Sequence, residues 1–200
     1  PPRSTPRSTL CPYATLCRSV LLVLYPGGLV RPQAYEWLGR ALAEDGVQTV
    51  IPEFFADLAV TGKDRADALI AHYAAGRPVL LAGHSLGGAM AADYASRHAD
   101  QLSGLILLAA YPASGVELTT TRFATLSLWA EHDQVANSAA VRAGMAQLSP
   151  SSRLEEIKGA VHAFFGRYGP QQGDGVPTVE RAEAEQAILE RIRSYLREVT

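Results

Sequence analysis

Short apolar runs alternate with stretches of helically spaced hydrophobic residues along most of the chain. Unbroken apolar runs are typical of strands that are buried on both faces of a parallel sheet. They predict six strands, the last of them the weakest, at residues 20–25, 47–51, 78–82, 105–109, 124–129 and 153–157. Hydrophobic residues at helical spacing predict five helices, which include residues 35–42, 66–73, 89–94, 141–148 and 188–196. The alternation implies right-handed βαβ crossovers and therefore predicts an α/β fold: a doubly wound, mostly parallel sheet of about six strands with helices on both faces.

Residues 1–19 differ in composition from the rest of the chain. Pro2-Arg3-Ser4-Thr5 is repeated as Pro6-Arg7-Ser8-Thr9, and this polar, proline-punctuated tract has little to bury. We expect this segment to be disordered or not native to the protein. Two hundred residues with 48% hydrophobic content suffice for one well-packed domain, which we place at residues 20–200.

The charge balance argues against a nucleic-acid partner. The 18 basic and 20 acidic residues give a net charge of -2, without the basic stripe that phosphate binding requires.

The longest apolar run is far shorter than the ~20 residues of a membrane-spanning helix, so we expect a soluble protein, with the cytoplasm slightly favoured over secretion. Cys11 and Cys17 lack metal-ligand spacing, and no Gly-x-Gly-x-x-Gly follows the first strand. We therefore expect no metal and no cofactor, and the oligomeric state is left open.

The most informative stretch is Gly83-His84-Ser85-Leu86-Gly87-Gly88, between the third predicted strand and a helix of small residues. A Gly-x-Ser-x-Gly sequence in a strand–turn–helix setting is typical of a nucleophile elbow, in which the serine occupies a strained backbone conformation. The flanking glycines allow the strand and the helix to approach closely. The motif therefore predicts Ser85 as a nucleophile, with a simple glycine-rich turn as the alternative.

A serine nucleophile needs a base and a carboxylate that orients the base. His72 and His98 lie in predicted helices, His84 adjoins the serine and is expected to brace the turn, and His132 is interpreted as a loop residue. His162, on the loop directly after the last strand, is left as the predicted base.

The carboxylate is expected between the serine and the histidine in the chain. Asp133 fits this order and follows the fifth strand, while Glu131 and Asp174 remain as alternatives. Ligands of a doubly wound sheet bind at the carboxyl ends of the strands, so all these side chains should share one edge.

Two backbone N–H groups are expected to bind the oxyanion that develops during acyl transfer. Leu86 supplies one, and Gly28 is preferred for the other over Gly27 and Leu29, because Pro26 has no N–H. Aromatic residues in loops near this edge predict a narrow apolar slot that favours short acyl chains. The predicted substrate-binding residues are Tyr111, Phe54 and Phe164, with Phe55 and Phe165 beside them.

The chain resembles the compact bacterial α/β-hydrolases that carry Tyr-Pro-Gly-Gly, Gly-His-Ser-Leu-Gly-Gly and a late histidine loop. The resemblance runs from about Val20 to the C-terminus and implies Ser85, Asp133 and His162 as nucleophile, orienting acid and base. Two departures stand out: residues 1–19 do not look capable of forming the extra hairpin common in this family, and only residues 110–123 are available for its helical lid. The resemblance thus implies a minimal, lidless member.

The expected function is hydrolysis of a small carboxylic ester through an acyl-enzyme. The same constellation serves thioesterases, lactone hydrolases of the dienelactone type and acyltransferases, and fold analogy does not choose among them. A non-catalytic binding protein of the same fold is a further alternative.

Overall fold

A computed structural model describes residues 20–200, and the expected disorder of residues 1–19 lies outside the described residues. The sheet has six strands in the order β2-β1-β3-β4-β5-β6, and every neighbouring pair is parallel. This confirms the predicted α/β architecture. The strands are β1 Val20–Tyr25, β2 Val47–Val50, β3 Val79–His84, β4 Gly104–Leu108, β5 Thr125–Ala130 and β6 Arg153–Ile157.

Helices cover both faces of the sheet. Side chains alternate along each strand, so Leu22 and Leu24 of β1 join one hydrophobic cluster whereas Leu21 and Val23 join the other. The first cluster is completed by the helices at residues 36–43 and 181–199, with Val141 from the helix at 138–144. The second is completed by the helices at residues 65–73 and 86–97. Within residues 20–200 the α-helices are α1 Glu36–Ala43, α2 Arg65–Tyr73, α3 Leu86–Arg97, α4 Ser138–Gly144 and α5 Arg181–Val199.

Burial explains why some strands were easier to predict than others. The strands β1, β3, β4 and β5 are buried throughout, which is why they are almost continuously apolar. The edge strand β6, Arg-Leu-Glu-Glu-Ile, is partly exposed at four of its five positions. A strand with one unpaired edge accommodates charged side chains, so its sequence signal is weak.

Several element bounds differ from the prediction by one or two residues, and β3 runs to His84 and not to residue 82. The fourth strand ends at Leu108 and not at Ala109, because Ala109 has a positive φ of 46° that no strand accommodates. His162 lies on a short 3₁₀ turn, His162–Phe165, and not in an irregular loop.

Residues 109–124, between β4 and β5, contain no helix. Within residues 20–200, none of the helices combines the length and the apolar character needed to cross a membrane.

Candidate active site

Ser85 occupies a sharp turn between a strand and a helix. It is the single residue between the end of β3 and the start of α3, with φ 51° and ψ −123°. Positive φ is unfavourable for a residue that carries a Cβ, so neighbouring contacts must hold this conformation. The Ser85 N–H donates to the carbonyl of Leu108 (3.0 Å), and the Ser85 carbonyl accepts from the N–H of Gly88 (2.9 Å).

The glycines around Ser85 permit three close approaches. A Cβ added to Gly83 would lie 2.4 Å from the carbonyl oxygen of Gly87, and one added to Gly87 would lie 2.2 Å from the carbonyl oxygen of Pro26. A Cβ on Gly88 would lie 2.3 Å from the Cβ of Ala110. These separations are shorter than any real contact, so larger residues would separate α3 from β3, from the end of β1 and from the segment after β4. The Gly-x-Ser-x-Gly motif predicted the close approach of strand and helix that Gly83 permits, whereas Gly87 permits an approach to the end of β1.

His162 and Asp133 form a buried pair. The Nδ1 atom of His162 is 2.8 Å from Oδ2 of Asp133, and the two side chains are 1% and 2% exposed. An ionised carboxylate only accepts hydrogen bonds, so Nδ1 carries the proton and Nε2 is left as an acceptor. The other carboxylate oxygen of Asp133 accepts the N–H groups of Val135 and Ala136, each at 2.8 Å, which fixes its orientation. Nε2 of His162 is buried and has no hydrogen-bond partner among the described residues.

The two alternative carboxylates serve the backbone and not the imidazole. Asp174 accepts the N–H groups of His162 (3.2 Å) and Ala163 (2.9 Å), so it holds the turn that carries the histidine. Glu131 accepts the N–H of Gly159 at 2.8 Å. The structure brings Asp133, and neither alternative, to the His162 ring.

The hydrogen bonds of the turn after β1 distinguish the three candidate donors there. The N–H of Gly27 donates to the hydroxyl of Tyr35, and that of Leu29 donates to the carbonyl of Asp57, both at 2.8 Å. The N–H groups of Gly28 and Leu86 have no hydrogen-bond partner within residues 20–200. The two residues are adjacent, since a Cβ on Gly28 would lie 3.2 Å from Cδ2 of Leu86. Gly28 and Leu86 are thus the two residues here whose N–H groups are available to a ligand.

His84 links this turn to the histidine loop. The hydroxyl of Tyr35 already accepts from Gly27, so its own proton is donated to Nδ1 of His84, 2.7 Å away. The His84 ring packs against the His162 ring with centroids 4.6 Å apart. Complete burial lowers the pKa of His84 well below its usual value, and the neighbouring His162 lowers it further. His84 is therefore neutral and bridges two loops, a wider role than the predicted brace for the turn.

Tyr35 was missed by the sequence analysis, which assigned it to the apolar face of the first helix. The available signal was chemical: a buried tyrosine hydroxyl needs a hydrogen-bond partner. Burial raises the pKa of Tyr35, so it remains a neutral hydroxyl that both donates and accepts.

A pocket of about 220 Å³ opens beside Ser85. Tyr111, one of the predicted substrate-binding residues, lines it, and its role in binding stays a prediction. Alanine dominates its wall, and these positions were missed because alanine in a loop or at a helix start carries no chemical signal. The pocket is lined by Ser85, Leu86, Ala89, Ala109, Ala110, Tyr111, Ala113, Val135 and Ala136.

The other predicted wall residues do not line this pocket. Phe54 packs edge-on against Tyr25, with ring centroids 5.0 Å apart. Phe164 is buried beneath the guanidinium of Arg181, 4.5 Å from its ring centroid, and lines a separate cavity. The expected aromatic slot is therefore an alanine-lined pocket with one aromatic wall.

No group of three or more His, Cys, Asp or Glu side chains within residues 20–200 is arranged to hold a metal ion. At the edge of the sheet that carries Ser85, the described residues offer a hydroxyl, an imidazole with a free acceptor nitrogen, and two free backbone N–H groups.

Solved structures with this fold cover most of the chain at low sequence identity. A predicted CIB-like hydrolase from Thermoplasma acidophilum is 14% identical, with a TM-score of 0.69 over 90% of this chain and 89% of the other. A structure described with LipS and LipT, two metagenome-derived lipolytic enzymes, is 15% identical, with a TM-score of 0.70 over 90% and 94%. A thermophilic esterase from Thermogutta terrifontis is 15% identical, with a TM-score of 0.63 over 90% of each chain.

Among curated protein sequences, none matches the chain significantly. The family model described as "Alpha/beta hydrolase family" matches residues 21–186, which is most of the chain. The chain therefore belongs to the α/β-hydrolase family, and this membership supports a hydrolase activity.

Proposed function

We propose that the protein is a serine hydrolase that cleaves carboxylic esters with short acyl chains through an acyl-enzyme. The observation that carries the proposal is the state of His162. Its Nδ1 is held by buried Asp133, its Nε2 has no partner within residues 20–200, and its ring packs against His84, the residue next to Ser85. An imidazole whose Nδ1 is held by a carboxylate and whose Nε2 is free to accept a proton, at the strand edge that carries a serine, is what nucleophilic catalysis requires.

In the proposed reaction, the Ser85 hydroxyl attacks the ester carbonyl while Nε2 of His162 takes its proton. The N–H groups of Gly28 and Leu86 stabilise the oxyanion, and His162 returns the proton to the departing alcohol. A water molecule then attacks the acyl-serine, with its proton passing to His162 and on to Ser85, and the carboxylic acid leaves. Asp133 holds the imidazole and stabilises its protonated form.

The size of the pocket supports a short acyl chain. Its volume of about 220 Å³ is below the roughly 300–1,000 Å³ of pockets for drug-sized ligands. Each buried methylene contributes ~0.8 kcal/mol until the wall is reached. Specificity constants for a series of p-nitrophenyl esters are therefore expected to peak at short acyl chains and to fall for long ones.

The decisive experiment is labelling by a fluorophosphonate, with Ser85→Ala as the test variant and Ser114→Ala as the matched control. Ser114 is exposed on the loop between β4 and β5. We expect Ser85→Ala to abolish labelling and Ser114→Ala to retain it. His162→Ala should lower kcat for an activated ester by several orders of magnitude, because these groups act as a unit. Undiminished labelling of the folded Ser85→Ala protein would refute the proposal.

The experiment also tests the alternatives. The same groups attack thioesters and lactones, so acyl-thiol and lactone substrates belong in the panel, and an added alcohol acceptor reveals acyl transfer. Absence of labelling in the wild-type protein would favour a binding protein of this fold.

A further inference from the structure

Every large hydrophobic side chain that is strongly exposed within residues 20–200 lies on a loop that follows the carboxyl end of a strand. Leu29 follows β1, Phe55 and Val60 follow β2, Tyr111 follows β4, Val135 follows β5 and Val176 follows β6. In the sheet order these loops lie on both sides of β3, the strand that ends next to Ser85. Exposed apolar residues are ordinarily scattered, so their confinement to one edge indicates a binding surface.

Backbone strain is concentrated at the same edge. Among the non-glycine residues of the described range 20–200 that have positive φ, only Ala75 lies elsewhere. The others all follow carboxyl ends of strands: Leu29, Ala56, Asp57, Ser85 and Ala109. Such conformations persist where surrounding contacts enforce them, and they cluster at functional sites.

Leu29 is the clearest case. It has φ 60° and its side chain is 75% exposed, so it has neither the backbone preference of glycine nor the benefit of burial. Its N–H donates to the carbonyl of Asp57, and the Asp57 carboxylate pairs with Arg31 at 3.1 Å. These contacts tie the turn after β1 to the loop of Phe55, whose side chain is 83% exposed. Folding alone does not account for a leucine at this position.

The exposed residues continue the pocket beside Ser85. Tyr111 and Val135 line that pocket and are also 38% exposed at its mouth. Leu29 follows Gly28, which contacts the pocket residue Leu86. We define the apolar rim as Leu29, Phe55, Tyr111 and Val135. The acyl and alcohol groups of an ester leave the carbonyl carbon in different directions, so with the acyl group inside the pocket of about 220 Å³ a long alcohol group extends towards the pocket mouth, where this rim lies.

We infer that the apolar rim binds the alcohol part of the ester, and that the substrates combine a short acyl group with an extended apolar alcohol. This inference rests on the proposed function. A rim contacts a chain from one side only, so the gain per methylene is about half of the ~0.8 kcal/mol of full burial, or about twofold in affinity. From methyl acetate to hexyl acetate, kcat/KM is expected to rise about 30-fold.

The test measures hydrolysis of methyl, butyl and hexyl acetate in a pH-stat, below the solubility limit of each ester. The test variant combines Leu29→Asn with Phe55→Ser, because asparagine tolerates positive φ. Ala75→Asn is the matched control. Residue Ala75 is exposed and has φ 47°, like Leu29 in its positive φ, but it follows α2 at the opposite edge of the sheet. The hexyl-to-methyl ratio of kcat/KM should fall to below about fivefold in the double variant, mainly through KM, since contacts made equally in ground and transition states act on KM. Ala75→Asn should leave the ratio unchanged.

Several outcomes would overturn the inference while leaving the proposed function intact. One is a wild-type kcat/KM that stays constant from methyl to hexyl acetate while turnover still depends on Ser85. The other is an equal fall of kcat/KM for methyl and hexyl acetate in the double variant. In a second series with hexyl acetate above its solubility limit, a rate that jumps only when the substrate forms an emulsion would assign the rim to a lipid surface. A dimer in light scattering that the double variant dissociates, with an unchanged ratio, would assign it to a second copy of the chain. Absence of Ser85-dependent hydrolysis of any acetate would instead refute the proposed function.

Discussion

Removing the hydroxyl of Tyr35 tests how far the turn after β1 depends on one buried hydrogen-bonding group. This hydroxyl accepts the N–H of Gly27 and donates to Nδ1 of His84, and all three residues are largely buried. Tyr35→Phe retains the ring and its packing. It leaves two buried polar groups without a partner, namely a backbone donor and an imidazole acceptor.

Each orphaned buried group costs ~1–3 kcal/mol, so the variant should lose about 3 kcal/mol of unfolding free energy. Native domains have an unfolding free energy of ~5–15 kcal/mol, so the variant should remain folded. Gly27 directly precedes Gly28, the proposed oxyanion donor, and a looser turn places that donor less accurately. We expect kcat for a short ester to fall about tenfold, less than the ~10²–10³ for outright loss of an oxyanion donor.

The assay compares urea unfolding and steady-state kinetics of the wild type, Tyr35→Phe and Tyr73→Phe. Tyr73 is the matched control because its hydroxyl makes no hydrogen bond within residues 20–200, so its removal should be nearly neutral. If Tyr35→Phe unfolds at the same urea concentration as Tyr73→Phe, the hydrogen bonds inferred here do not stabilise the fold. If it is destabilised but keeps full kcat, the turn does not depend on Tyr35 for its catalytic geometry.

Other variants test the remaining contacts. Asp133→Asn should lower kcat by about 10⁴, because an amide favours the wrong imidazole tautomer, whereas Asp174→Asn should mainly lower the melting temperature; the reverse ranking would contradict the assignment. Gly88→Ala should cost about 1–3 kcal/mol in urea unfolding, because its Cβ would clash with Ala110, and full stability would contradict that close approach. His84 has a lowered pKa, so below pH ~6.5 the unfolded chain takes up a proton that the folded one does not. The contribution of His84 to the unfolding free energy should therefore be fully present above that pH and fall on acidification, by at most about 1.4 kcal/mol per pH unit. His84→Gln should reduce this pH dependence, and equal slopes for the two proteins would refute the role of His84.

The parts of the fold that the sequence predicted are those in which burial dictates residue type. The inner strands are buried on both faces, so they are apolar at nearly every position and stand out from their neighbours. Asp133 and His162 could be proposed from position alone, because each follows a strand end and parallel strands bring those ends to one edge. Their 2.8 Å contact agrees with that expectation, although their catalytic roles remain a prediction.

What the sequence did not predict depends on side-chain direction. Ala56 and Asp57 adopt positive φ after β2. Aspartate is enriched in this conformation but alanine is not, so the pair gives no clear turn signal. The turn directs Phe54 inward onto Tyr25 while Phe55 points to solvent, so two adjacent phenylalanines have opposite environments. The bond between Tyr35 and His84 spans 49 positions, and one sequence offers no way to pair them.

The contacts of His84 explain how a chain without a helix between β4 and β5 keeps a defined site. Through Tyr35 its Nδ1 is tied to the turn after β1, and its ring packs against His162 on the loop after β6. Both loops are thereby positioned relative to the residue that adjoins Ser85. Because each link is a direct buried contact, the proposed oxyanion donor, nucleophile and base keep their relative positions without a covering segment, and the pocket can remain open to the rim. A substrate then needs no conformational opening to reach Ser85, so binding to the rim should be limited by contact area and not by a gate.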